Sequence, residues 1–236
     1  MDHAKRSAKR VGILMARNLT DTTIVIIGAT GVLGSCIAQQ LADAGAHVAA
    51  VVRDSASLNP AVISTHAVAD LTDHAALRSA FASLGPIDGV INAAGAVAFG
   101  PLAELDDKTL TDLFAINAIG PMVALRESAP HIKEGGFFVN ISGVVALQPM
   151  AGLAAYSASK AAAWSAMTSV ARELRRQQID VIDARPPHTE TGLATRPLSG
   201  TAPKLPEGLD PNVVAARIIA AIVDGERDLP VEAFQG

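Results

Sequence analysis

The sequence predicts a doubly wound α/β fold, one parallel sheet with helices on both faces and three layers in all. Two observations lead there. Short β-branched apolar runs alternate with longer Ala/Leu-rich segments of helical spacing along most of the chain. The strand runs, such as TIVII from Thr23 and GFFVNI from Gly136, are apolar at successive positions instead of alternate ones. Strands covered on both faces read that way, and an alternating β/α order with such strands builds a parallel sheet. At 236 residues, 50% hydrophobic and 18% charged, the chain fits a single large domain and is too apolar for a disordered one.

The elements follow in order. The first strand is expected at Ile24–Gly28, and a helix at Val32–Ala44 follows it at once. Strands at His47–Arg53 and Thr65–Ala69 precede a helix at Asp73–Ser83, then a strand at Gly89–Asn92. Two helices, Asp106–Asn117 and Pro121–His131, lead to a strand at Phe137–Ser142. The longest helix is expected at Ala155–Gln177, followed by a strand at Ile179–Asp183, a helix at Pro211–Val223 and a weak strand at Leu229–Val231. The one long irregular stretch, Gly192–Asp210, is rich in Pro, Gly and Thr and is long enough to form a lid.

Charge and cysteine usage narrow the function classes. The net charge of −4 offers no global field for nucleic acid. A single cysteine, Cys36, excludes an intrachain disulfide and suits a reducing, cytoplasmic setting. No apolar run reaches the roughly 18 residues of a membrane span. Residues 1–20 read as a basic, mobile tail carrying Lys5, Arg6, Lys9, Arg10 and Arg17, with the domain proper at 21–236. Val11–Ala16 is too short for a signal-peptide core, and Met15 offers an alternative start.

The glycine loop between the first strand and first helix carries the first chemistry. Gly28, Thr30, Gly31, Val32, Leu33 and Gly34 would bring backbone close to a phosphate and present the helix N-terminus to it. Glycines at this place favour a dinucleotide, hence a Rossmann fold. At the end of the second strand stand Arg53 and Asp54. An arginine there accommodates the extra phosphate of NADP, whereas an acid bonds the ribose of NAD. Arg53 stands nearer the strand end, so the expected cofactor is NADP(H), with NAD(H) left open by Asp54. No metal site is read from the sequence.

The second chemistry lies in the longest helix. Tyr156 is the only tyrosine, and Lys160 follows at i+4 on the same helix face. An ammonium beside a phenol favours the phenolate and is expected to lower its pKa, making Tyr156 a usable acid or base.

With these residues in place, the stretch from Ile24 to Val231 resembles the short-chain dehydrogenase/reductase family. The resemblance rests on five signals in order: the glycine loop, Asp70-Leu71, Asn92-Ala93-Ala94-Gly95, Asn117, and Tyr156-Ser-Ala-Ser-Lys160. It implies that Tyr156 exchanges a proton with the substrate oxygen and that Lys160 holds the nicotinamide ribose. It implies that Asn117 holds a water relaying protons to Lys160, that Asp70 and Leu71 contact the adenine, and that Asn92 to Gly95 support the adenosine ribose side. Val52 and Arg53 fall where NADP-preferring members differ from NAD-preferring ones. Thr189 and Thr191 match the turn that meets the nicotinamide amide and the phosphates. Family architecture also implies a homodimer through two long central helices.

Three departures stand out. The middle glycine of the loop falls one position earlier than in the family's main branch. Gly143 occupies the place of the substrate-orienting serine, thirteen positions before Tyr156, and Ser142 precedes it. Ser142 is therefore carried as a candidate catalytic hydroxyl, on condition that the backbone turns there, because adjacent strand residues face opposite ways. Pro186-Pro187-His188 replaces the usual Pro-Gly, and His188 is a candidate substitute polar group.

The leading expectation is an NADP(H)-dependent oxidoreductase that reduces a carbonyl, or oxidises a secondary alcohol, of an apolar small molecule lined by Leu193, Pro197, Leu198 and Leu205. The alternative is an NADP(H)-binding sensor or partner protein whose catalysis is impaired at Gly143. A third reading is isomerase or dehydratase chemistry on the same fold.

Overall fold

A computed structural model describes residues 16–235. Seven parallel strands form one sheet in the order β3-β2-β1-β4-β5-β6-β7. They are β1 (Thr23–Ile27), β2 (His47–Val52), β3 (Ile63–Val68), β4 (Ile87–Asn92), β5 (Ile132–Ile141), β6 (Asp180–Ala184) and β7 (Asp228–Leu229). The order reverses between β1 and β4, where open α/β sheets carry their ligands. The helices are α1 (Val32–Asp43), α2 (His74–Leu84), α3 (Asp107–Phe114), α4 (Gly120–Ser128), α5 (Ala154–Glu173) and α6 (Pro211–Asp224).

The successive apolar residues of each strand divide between two cores. Ile24, Ile26, Ile91, Val139 and Ile182 pack with α1 and α6 on one face. Val25, Ile27, Val90, Phe138 and Val181 pack with α2, α4 and α5 on the other. Burial on both faces is what the unbroken apolar runs predicted.

Two boundaries differ from the sequence reading. The break expected between Asn117 and Pro121 is absent, because a π-helical turn at Ala115–Ile119 joins α3 to α4. Such a turn widens the helix by one residue and often marks a functional position, and Asn117 sits inside it. The basic-tail expectation also reaches too far inward. Leu19 is buried, and Arg17 donates to the carbonyls of Ile222 and Gly135 and pairs with Asp180 at 3.2 Å. The domain thus includes residues 16–20, and the rest of that expectation lies outside the described residues. Among the described residues, no helix is long and apolar enough to cross a membrane.

Candidate active site

The glycine loop closes on itself as its composition requires. A Cβ on Gly34 would stand 2.3 Å from the Gly28 carbonyl oxygen, and one on Gly28 would stand 2.9 Å from the Ala94 nitrogen. Packing therefore explains both glycines. Gly31 differs: its φ is −75°, and a Cβ there would meet only the Gly28 oxygen at 3.3 Å. Gly31 is the helix N-cap and supplies no side-chain acceptor, so the first-turn N–H groups of α1 keep their donors for an outside anion. A phosphate fits this cradle. Thr30, Val32 and Leu33 lie on the same turn and first helical residues.

At the ends of β2 and β3, Arg53 and Asp54 are exposed, and the Asp54 carboxylate accepts from the Ala56 N–H at 2.9 Å. Asp70 accepts from the Thr72 N–H and hydroxyl at 2.8 and 2.6 Å. Burial pushes the Asp70 carboxyl up, but the two Thr72 bonds and the nearby Arg53 charge win and hold it below its usual value. Arg53 and Asp70, far apart in sequence, thus share one neighbourhood. Leu71 is buried and fills the space beside Gly120.

The second group converges on Gly95. A Cβ there would stand 3.2 Å from Lys160 Nζ and 3.3 Å from Asn117 Oδ1. Asn117 Oδ1 accepts from the Ala96 N–H at 2.9 Å, and its Nδ2 donates to the Ala96 carbonyl at 2.8 Å. Nδ2 also donates to Ser159 Oγ at 3.1 Å, which ties the π turn to α5 one residue before Lys160. Lys160 Nζ donates to the Ile141 carbonyl at 2.9 Å. Asn92 Nδ2 donates to Asn140 Oδ1 at 3.1 Å, while Asn92 Oδ1 is buried without a partner among the described residues. Ala93 N–H bonds the Ile27 carbonyl, and Ala94 backs Gly28.

Tyr156 lies under the irregular stretch near the chain end. It packs against a small cluster of Val97, Phe99 and Leu153, on which Val145, Leu193, Ala194 and Ala202 also pack. The stretch is held down by backbone bonds from Leu198 N–H to the Val97 carbonyl and from Phe99 N–H to the Ser199 carbonyl, at 2.8 and 2.9 Å. Of the four apolar residues expected to line it, Leu193 packs on the same cluster as Tyr156, whereas Leu198 is exposed. A cavity of about 930 Å³ lies elsewhere, between α5 and the β6–β7 edge, lined by Trp164, Arg172, Asp180 and Arg185 among others.

This burial reverses one expectation. Tyr156 is pushed up to about 12 by desolvation, not lowered by the neighbouring ammonium. Lys160 is driven down to about 8, again by desolvation, with the Asp183 carboxylate acting in the opposite direction. The dehydrated site disfavours both charges more strongly than the pair favours them. Both groups therefore sit as phenol and ammonium at neutral pH.

Two candidate groups are committed elsewhere. Ser142 is buried, and its hydroxyl donates to Asp183 Oδ1 at 2.5 Å. In this arrangement its one proton is given to the Asp183 carboxylate. His188 Nε2 faces Glu190 at 3.3 Å. The two threonines serve the turn: Thr189 Oγ1 donates to the Pro187 carbonyl at 2.9 Å, and Thr191 N–H to the Thr189 carbonyl at 2.7 Å.

The chain does turn at the missing serine, but in a way that excludes one. Gly143 has φ +81° and ψ 162°, a region open essentially to glycine alone. A Cβ would find space there, its nearest atom being Pro186 O at 3.8 Å, so the obstacle is the backbone. Gly143→Ser is therefore expected to lose about 1–3 kcal/mol of stability without raising activity. Urea midpoints at unchanged slope measure the loss.

Sequence reasoning missed Asp183 and Arg185. The carboxylate of Asp183 also accepts from Asn140 Nδ2 at 2.9 Å and meets Arg185 at 3.3 Å, and Arg185 meets Asp228 at 2.7 Å. Asp183 in the apolar second half of its strand, with Arg185 just past the end, was the available signal, since charges are rarely buried without partners. Among the described residues, no cluster of three or more His, Cys, Asp or Glu side chains is arranged to hold a metal.

Comparison with known proteins agrees with this geometry. A family model described as short chain dehydrogenase matches residues 22–200. The 2,3-dihydro-2,3-dihydroxybenzoate dehydrogenase of Bacillus subtilis is 30% identical over 192 residues, covering 75% of this chain and 74% of that protein. The cyclic-di-GMP-binding biofilm dispersal mediator protein of Escherichia coli is 31% identical over 186 residues, covering 76% and 78%. A short chain dehydrogenase from Burkholderia cenocepacia, solved in complex with NADP, superposes with a TM-score of 0.79 at 25% identity, covering 91% of this chain and 98% of that one.

Proposed function

Since the chain belongs to the short-chain dehydrogenases, an oxidoreductase family, we propose that it is an NADP(H)-dependent reductase of a small apolar carbonyl compound. The carrying observation is Tyr156 one helical turn before Lys160 on α5, with Lys160 Nζ and Asn117 Oδ1 converging on Gly95. A phenol at this place can give its proton to the oxygen of a carbonyl as it is reduced, and take one from an alcohol in the reverse direction. The Burkholderia relative was solved in complex with NADP, and here exposed Arg53 beside Asp70 suits an added phosphate.

The bound cofactor would supply the hydride. Gly31 and the α1 N-terminus would bind its phosphates, Arg53 the ribose phosphate, and Lys160 the ribose hydroxyls beside the reacting ring. Asn117 would steady this arrangement by fixing Ala96 and Ser159. Tyr156 Oη would give its proton to the substrate oxygen, and the lid would exclude water. The same reading includes a homodimer through the outer faces of the α3–α4 run and α5, where Ile119 and Met122 are exposed, and a cytoplasmic setting.

A second reading keeps one specific support. Gly143 carries no hydroxyl, and the Ser142 hydroxyl is given to Asp183. A chain that binds NADP(H) but turns nothing over would explain both, and one relative is named for binding a nucleotide. Titration separates the cofactors first. Trp164 is the only tryptophan, and its energy transfer to NADPH is expected to saturate at lower concentration than with NADH. Equal or tighter NADH binding overturns the cofactor choice.

The Lys160 value sets a pH dependence. Its pKa is depressed, so the cation is present below about 8 and lost above it. The kcat/KM for NADPH is expected to fall above about pH 8, read from initial rates between pH 6 and 10 at roughly tenfold loss per unit.

A further inference from the structure

Lys160 lies in an almost water-free setting, and its one hydrogen bond is to a neutral carbonyl, that of Ile141. Burying an ammonium there is expensive without an opposite charge nearby. The ionisable groups around it are few. Tyr156 stands one turn back on α5, and Asp183 projects from β6. β5 and the Asn92–Gly95 segment offer Ile141 O and Gly95, and the π turn offers the neutral amide of Asn117.

Asp183 is placed for the task. Val181 packs among the residues covered by α5, and Asp183, two residues on, projects to the same face. It pairs in register with Asn140, next to the residue whose carbonyl Lys160 grips. Ser142, Asn140 and Arg185 all direct donors at its carboxylate. Arg185 in turn shares its charge with exposed Asp228, its closer partner at 2.7 Å. Arg185 is thus partly neutralised from outside, and the negative charge of Asp183 remains available to Lys160. Burial pushes the Asp183 carboxyl up, and the Ser142 and Asn140 bonds oppose that rise, followed by the Arg185 and Lys160 charges.

We propose that Asp183, held by Ser142, is the counter-charge that keeps Lys160 protonated in the closed site, a positioning residue acting through Lys160. The inference rests on the cofactor reading above, and it gives Ser142 a role beside the missing serine. Removing the charge leaves Lys160 and Arg185 as two buried cations with only Asp228 between them and solvent.

The test is the NADPH dissociation constant against pH, read by Trp164 energy transfer with no turnover needed. Wild type is expected to weaken above about pH 8, clear of the cofactor phosphate, which titrates near ~6. Asp183→Asn is expected to move that break at least about one unit lower, hence roughly fivefold weaker binding at pH 8 and roughly tenfold at pH 9, with wild-type affinity regained at pH 6. Ser142→Ala is expected to move it the same way by less, and it decides the matter if Asp183→Asn does not fold. A break that stays in place, or a loss of affinity equal at every pH, overturns the role and leaves the cofactor reading standing. A wild-type chain that binds no NADPH at any pH overturns both.

Discussion

Tyr156→Phe is expected to lower kcat by about 10³-fold, within the usual range for losing a general acid, while changing the NADPH dissociation constant by less than about twofold. The ring keeps its place against the Val97, Phe99 and Leu153 cluster, so the fold is undisturbed. Only the proton donor is gone. The Lys160 ammonium and the Gly95–Asn117 gap remain, and they belong to the ribose side. Single-turnover rates with saturating NADPH measure the first quantity and Trp164 energy transfer the second. Full activity in the variant would remove Tyr156 from the mechanism.

Gly34→Ala carries the second large effect. Its Cβ would stand 2.3 Å from the Gly28 carbonyl oxygen and 3.1 Å from the Ala29 Cα. Both are backbone atoms that no side-chain rotation can move. Helix α1 must lift from the loop, and overpacking of this kind typically costs about 1–3 kcal/mol. The phosphate cradle opens with it, and two powers of ten in NADPH affinity correspond to about 2.8 kcal/mol. Gly31→Ala is the control. It meets one atom at 3.3 Å, so the melting temperature is expected to hold while phosphate affinity still falls. A Gly34→Ala chain with wild-type stability and affinity would mean that the loop is looser than its geometry.

Much of this was legible because strand runs and glycine spacing are local signals. TIVII and GFFVNI announced a sheet buried on both faces, and the cores on either side bear this out. The helix of Tyr156 and Lys160 was legible from spacing alone. The π turn at Ala115–Ile119 was not. It depends on the Asn117 amide reaching Ala96 and Ser159 across the fold, which no window around residue 117 contains. The sign of the Tyr156 shift was illegible for a similar reason. A helix pair predicts an ammonium beside a phenol, but only the folded lid, clipped to Val97 and Phe99, supplies the dehydration that wins. Gly143 read as a missing serine, whereas its positive φ also shows a backbone built for glycine. The Asp183 and Arg185 pair was not legible because its partners come from the neighbouring strands β5 and β7.

The measurement that tests the central claim most directly follows NADPH absorbance as ketones, dicarbonyls and quinones are offered in turn, with Tyr156→Phe as the blank. The account predicts carbonyl-dependent oxidation of NADPH by the wild-type chain, an equal amount of alcohol product, and none above background in the blank. Saturable NADPH binding with no oxidation by any compound of the panel would contradict it and leave the chain as a nucleotide-binding protein on an oxidoreductase fold.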